Sequence, residues 1–141
     1  MLDQVQVRQS TESDSAAVKE LYEASLADIS GKRGEAAILS GAPDLDSSTV
    51  EVLVVTVAEV VMGFATYNNS STELVVSWLY ITPDARKIGL GAELLNHILA
   101  LAGANKASRI SSVALPGDAK TKNFFESFGM KASLLTIGRE L

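Results

Sequence analysis

Arg86, Lys87, Gly89 and Gly91 lie within the stretch YITPDARKIGLGAELL (residues 80–95), after a strand-like run that ends at Ile81 and before an amphipathic run that begins at Leu90. The first turn of a helix leaves several backbone N–H groups without intrahelical acceptors, beside the positive end of the helix dipole. Glycines at such a turn let an anion approach the backbone with no Cβ in the way, and the two cations add mobile positive charge. A phosphate suits this arrangement, and a pyrophosphate suits it better. The third glycine and early βαβ unit of a dinucleotide fingerprint are missing, and so is the G-K-[ST] of a P-loop. On the glycines alone, a turn made only for tight packing stays open.

Other chemistry is bounded by what the chain contains. It has no cysteine, so a disulfide framework, a thiolate metal site and a thiol nucleophile are excluded. One histidine, His97, excludes a multi-histidine metal centre, and no metal is expected. His97 falls at the edge of its helix's apolar face and reads as structural. Residues 34–85 carry seven acids and no Lys or Arg, whereas residues 86–141 carry eight bases against four acids. This split suggests an anionic ligand on one region and a cationic one near the acidic loop and strands, with Asp44 and Asp46 as the wall that attracts it; a chance distribution on a solvated surface stays open. No basic stripe with interleaved aromatics points to nucleic acid. The N-terminus lacks a signal-peptide pattern and no apolar run reaches membrane-spanning length, so a cytoplasmic protein is expected.

The elements that must hold these residues follow from periodicity. VQVRQ alternates as a strand, and Thr11 with Asp14 resembles a capping box opening a helix with Val18, Leu21, Tyr22, Ser25 and Ile29 at helical spacing. Residues 30–49 read as a loop with one helical turn at Ala36–Leu39. Residues 50–57, Val60–Tyr67 and Glu73–Ile81 form a strand meander with turns at Ala58–Glu59 and residues 68–72, closed by Pro83. Leu90, Leu94, Leu95, Ile98 and Ala102 share one face of the next helix. SSVALP (111–116) reads as a strand. Asp118 starts a short helix that Gly129 ends, and MKASLLTIG gives a last strand. The 141 residues thus make one α+β domain around a largely antiparallel sheet with flanking helices.

Three stretches resemble the GNAT superfamily of acyl-CoA-dependent N-acyltransferases, in the right order along essentially the whole chain. LYITPDARKIGLGAELL is similar to its signature of a strand ending L-Y-[VI], a proline, then [QR]-x-x-G-x-[GA] opening a helix. NFFESFGM resembles its [FY]-[FY]-x-x-x-G-[FM] segment, and VAEVVMGFATY its third strand. ALPGDAKTKNFFESFGM, with GKRGE, also resembles small bacterial, actinobacterial members. The resemblance implies a GNAT-like fold whose mixed sheet splays where acetyl-CoA binds as co-substrate. It puts the pyrophosphate on the amides of Lys87, Ile88, Gly89, Leu90, Gly91 and Ala92, with Arg86 at the start of the turn. It pairs the pantetheine arm with the backbone of Leu79, Tyr80 and Ile81, and makes the helix of Asn123 and Phe125 the opposite wall, where Lys120 and Lys122 could meet the nucleotide's phosphates.

Catalysis is less fully specified. The implied reaction is direct attack of a primary amine on the thioester. The tyrosine that many members use to protonate the leaving thiolate is here Phe125, which has no proton to give. The strand positions that often carry an acid hold Ser77 and Trp78. Glu73, further back on that strand, and Tyr80 are the candidate catalytic residues, with Tyr67 as a further hydroxyl. The partners implied are a small-molecule or peptide amine, with no nucleic acid and no membrane, and homodimerisation through the last strand stays open. Two other readings also stay open: a catalytically weak acyl-CoA-binding or regulatory domain, and an interaction module on the same fold.

Overall fold

Alternating β-branched runs build five strands: β1 (Val5–Gln9), β2 (Glu51–Val57), β3 (Val60–Asn69), β4 (Glu73–Ile81) and β5 (Arg109–Ser111). The computed structural model describes residues 4–70, 72–113, 119–133, 137, 139 and 141. The strands form one sheet in the order β1-β2-β3-β4-β5. The first four are antiparallel neighbours, and β5 joins β4 in parallel, from Glu73↔Arg109 to Val75↔Ser111. Helices α1 (Ser15–Ile29) and α2 (Glu35–Ser40) cover one face, and α3 (Leu90–Ala104) covers the other. A fourth helix, α4 (Ala119–Glu126), follows β5. This is an α+β fold with a mixed sheet and flanking helices.

Two bulges decide which side chains meet which helix. Between β3 and β4 the register passes from Thr66↔Trp78 to Tyr67↔Val76, so Ser77 has no partner across the ladder. One extra residue reverses the alternation of a strand. Leu74 and Val76 accordingly face α3, whereas Trp78 and Tyr80 face α1. Met62 plays the same part opposite β2, where the register shifts between Val55↔Gly63 and Thr56↔Val61. Beside it, Gly63 has no room for a side chain: a Cβ there would lie 2.8 Å from the Tyr80 carbonyl oxygen.

Several elements differ from the sequence reading. The Thr11 N–H does donate to the Asp14 carboxylate at 2.8 Å, but it opens a single 3-10 turn and α1 starts only at Ser15. The strand expected at residues 111–116 is placed earlier, at Arg109–Ser111, and residues 114–116 lie outside the described residues. Of the last expected strand, residues 130–133 and 137 are described and are not strand, while 134–136 and 138 lie outside the described residues. The loop of residues 30–49 does hold one short helix, α2. Among the described residues no helix is long and apolar enough to cross a membrane.

Candidate functional site

Pairing between β4 and β5 stops at Val75, and the Ser112 hydroxyl donates to the Val76 carbonyl at 2.9 Å as the last link. From Ser77 to Ile81, no described strand borders β4 on that side. The Thr82 N–H donates to the Met62 carbonyl at 2.8 Å, towards β3. Since successive residues of a strand direct their polar groups to opposite edges, Leu79 and Ile81 present theirs to the open side. An extended ligand arm can pair there as an added strand does.

The chain then turns into α3 through Pro83–Ile88 and Gly89. Gly89 has φ +85°, left-handed backbone that a side chain would strain, and it is the N-cap of α3. The first α3 bond runs from the Glu93 N–H to the Gly89 carbonyl at 3.1 Å. The N–H groups of Leu90, Gly91 and Ala92 therefore have no acceptor within the helix and point out of its positive end. A Cβ on Gly91 would lie 3.4 Å from the Phe124 ring and 3.9 Å from Ile81, so this glycine sits where the end of β4, α3 and α4 meet. Phe125, buried, and Phe128 meet Phe124 at centroid distances of 5.4 and 5.3 Å (the first pair edge-on), so the ring that faces Gly91 is held within α4 and the turn that ends it. Helix α4 ends in paired bonds, Gly129 N–H to Glu126 and Met130 N–H to Phe125, a Schellman closure. The Leu79–Ile81 edge, the Lys87–Ala92 turn and the Asn123–Phe125 helix, expected to share a site, thus lie around one corner of the molecule.

A family model described as an acetyltransferase (GNAT) domain matches residues 48–131, from the end of the acidic loop through α4. The chain belongs to the GNAT acetyltransferase family. No curated protein sequence matches it significantly. Among solved structures, a possible acetyltransferase from Clostridium difficile 630 is similar at 17% identity, covering 99% of both chains with a TM-score of 0.74. AAC(6')-Iy in complex with the bisubstrate analogue CoA-S-monomethyl-acetylneamine is similar at 15% identity, over 97% of both chains, with a TM-score of 0.68. An aminoglycoside acetyltransferase from an uncultured soil metagenomic sample, in complex with trehalose, is similar at 14% identity over 100% of this chain and 99% of that one, with a TM-score of 0.74. At these identities the structures establish the GNAT fold.

Within this GNAT frame the candidate catalytic residues are far apart. Glu73 opens β4 and its carboxylate accepts from Arg109 Nε at 3.1 Å, beside the closed β4–β5 pairing. It stands seven positions along the strand from Tyr80, on the order of 20 Å. Tyr80 is buried beneath α1, and its hydroxyl donates to Asp28 Oδ2 at 3.2 Å. Burial, and then the Asp28 charge, push its pKa above the ordinary phenol value, so it holds its proton. The Ser77 and Thr66 hydroxyls share a hydrogen bond of 2.7 Å at the bulge, and Trp78 Nε1 donates to Ser25 at 2.8 Å. Lys122 pairs with Glu126 at 2.9 Å, while Lys120 and Asn123 are exposed and His97 is half-buried on α3.

Arg86 is placed differently from a mobile cation. Its Nε donates to the Ile81 carbonyl at 2.9 Å, its Nη2 lies 3.3 Å from Asp28 Oδ2, and its guanidinium sits 5.0 Å from the centre of the Tyr80 ring. Asp28 is the residue that sequence reasoning missed, while Ser25, already on the helical stripe, gains its partner Trp78 only in the structure. Asp28 stands seven positions after Leu21 and three after Ser25, so a polar residue on the inward stripe of α1 was the available signal. Asp44 and Asp46 line a cavity of about 460 Å³ between α1 and the acidic loop, together with Glu23, Lys19, Tyr22 and Leu26. Tyr22 forms one side of it and meets Trp78 edge-on at 5.5 Å.

Proposed function

We propose that this GNAT protein transfers an acetyl group from acetyl-CoA to a primary amine by direct attack. The observation that supports it best is the corner where the unpaired edge of β4 runs into the free amides behind Gly89. The fit is physical: Gly89 has no neighbouring atom within 4 Å of where a Cβ would stand, so an anion can approach the backbone of the turn there. Leu79 and Ile81 would hold the pantetheine arm, Lys87–Ala92 the pyrophosphate, and Asn123 with Phe125 the far wall. Acetyl-CoA supplies the activated acyl group, and its thiol is a fair leaving group unaided. The chain's task is to orient the thioester on β4 and to bring a neutral amine to it. Tyr80, protonated and close to that edge, fits a positioning hydroxyl, while Glu73 would have to act over a strand's length. The acids of the 460 Å³ cavity favour a cationic acceptor.

Phe125 supports a second reading, an acyl-CoA-binding domain of weak catalytic power, because its buried ring offers no proton at the position the leaving thiolate would face. Calorimetry with acetyl-CoA, followed by thiol release with a panel of amines, separates the readings. Wild type binds and Gly91→Glu loses binding by at least about tenfold, since its side chain crowds Phe124 and brings a negative charge to the turn. Turnover that slows when Asp44 and Asp46 are changed to Asn supports the cationic acceptor. Binding with no turnover supports the second reading, and no binding by wild type discards both.

A further inference from the structure

Two donors from a distant part of the chain converge on one carboxylate oxygen. Asp28 Oδ2, on the last turn of α1, accepts from the Tyr80 hydroxyl at 3.2 Å and from Arg86 Nη2 at 3.3 Å. The same guanidinium lies over the Tyr80 ring and gives its Nε to the Ile81 carbonyl at 2.9 Å. We propose that Asp28 and Arg86 form a clamp on the open edge of β4, and that Arg86 positions the acyl-bearing arm of the cofactor rather than binding its phosphates. The proposal rests on the acyl-CoA reading above.

The geometry fixes what the clamp does. Of the groups that Leu79 and Ile81 turn to the open side, the Ile81 carbonyl is already taken. An extended arm then finds its unshared partners in the Leu79 groups and the Ile81 N–H, with only the second lone pair of the Ile81 carbonyl left to it, which favours one register. A planar guanidinium can serve a carbonyl, a carboxylate and an aromatic face together, which an ammonium cannot. Asp28 neutralises the cation, so its pull on a phosphate is weak, and Lys87 with the α3 amides is left for the anion. Asp28 also stands two residues before the loop of residues 30–49, so the clamp joins the acceptor side of the molecule to the cofactor turn.

The test compares two ligands, acetyl-CoA and S-acetyl-pantetheine, which has the arm without the phosphates. Both are titrated into wild type, Asp28→Ala, Asp28→Asn, Arg86→Gln and Lys87→Gln, with acetyl-CoA repeated across a salt series. A clamp predicts that Asp28→Ala and Arg86→Gln weaken both ligands by a common factor of about five and leave the salt dependence of acetyl-CoA binding unchanged. Lys87→Gln weakens acetyl-CoA alone and flattens that dependence. Asp28→Asn, which keeps an acceptor for Tyr80, falls between wild type and Asp28→Ala, and it carries the comparison if the alanine variant does not fold. The clamp is overturned if Arg86→Gln flattens the salt series or spares S-acetyl-pantetheine, or if the Asp28 variants bind as wild type does. Absence of acetyl-CoA binding by wild type itself overturns the underlying reading instead.

Discussion

The α3 face of the sheet is filled by Leu53, Val55, Leu74, Val76, Leu90, Leu94 and Ile98, none with exposed surface. The α1 face is built around Val54, Phe64, Trp78 and Tyr80, and it is crossed by side-chain hydrogen bonds: Trp78 to Ser25, Tyr80 to Asp28, Arg8 to Asp14, and Thr66 with Ser77. Apolar packing is strong but non-directional, so it suits a floor that only has to carry the glycine turn. Hydrogen bonds are directional, and one left unmade in a buried place is costly. The α1 face can therefore fix the angle of α1 and the lie of the β4 edge, which a cleft for two substrates requires. The bulges at Met62 and Ser77 are where strands change allegiance between these interiors.

The contrast predicts different costs for mutations on the two sides. Leu94→Ala, beneath α3 and fully buried, is expected to lower stability by about 3 kcal/mol through lost burial and a residual cavity. Urea unfolding measures this. The denaturant slope should be retained, because the α1-side links are untouched. A cost under about 1 kcal/mol would mean that the α3 face collapses around the gap and is no rigid floor.

Ser25→Ala tests the other side with a smaller expected effect. Trp78 Nε1 would lose its acceptor inside the protein, at a cost of about 2 kcal/mol. Trp78 is the only tryptophan, so its fluorescence reads the change directly. A stability loss with a shifted emission maximum is the expected result. If Ser25→Ala unfolds at the wild-type denaturant concentration, the polar links are ornaments on a packed face and the comparison fails.

These two faces also differ in how far the sequence shows them. Leu90, Leu94, Leu95, Ile98 and Ala102 recur at helical spacing, so the α3 stripe is plain from that spacing alone. The turn at Gly89 is legible as a turn, but its purpose is not plain from the glycines alone, which suit tight packing as well; the strand, proline and cations around them add the rest. The Ser77 bulge is hidden: it is a change of register, and ELVVSWLYI shows no break in composition. Without it, Leu74, Val76, Trp78 and Tyr80 read as one face, and the pairing of Trp78 and Tyr80 with α1 cannot be foreseen. Asp28 and Arg86 are hidden for a related reason, since their bond joins residues 58 positions apart. Local pattern gives the elements and the glycine turn, while the contacts between elements, such as Trp78 with Ser25 and Arg86 with Asp28, depend on register and tertiary packing.

The smallest predicted effect concerns Arg8 and Asp14, the polar link at the start of α1. Arg8 Nη1 meets Asp14 Oδ2 at 2.7 Å, and the Thr11 N–H donates to the same oxygen at 2.8 Å. The Arg8 hydrogen bond first, and the Thr11 N–H second, hold the Asp14 pKa down to about 2, from an ordinary 3.8. A carboxylate whose pKa is lower folded than unfolded adds stability that is fully present above about 3.8 and is lost as the pH falls through about 2. Asp14→Asn should therefore flatten the stability profile in that window, by on the order of 1 kcal/mol. The discount from full linkage reflects solvent screening of Arg8, which is one-third exposed. Unfolding followed from pH 5 down to pH 2 checks the slope, with Leu94→Ala as the contrasting variant: it should be uniformly less stable and keep the wild-type slope. If Leu94→Ala also flattens the profile, the acid sensitivity belongs to the whole fold, and the directional links of the α1 face are not what holds its geometry.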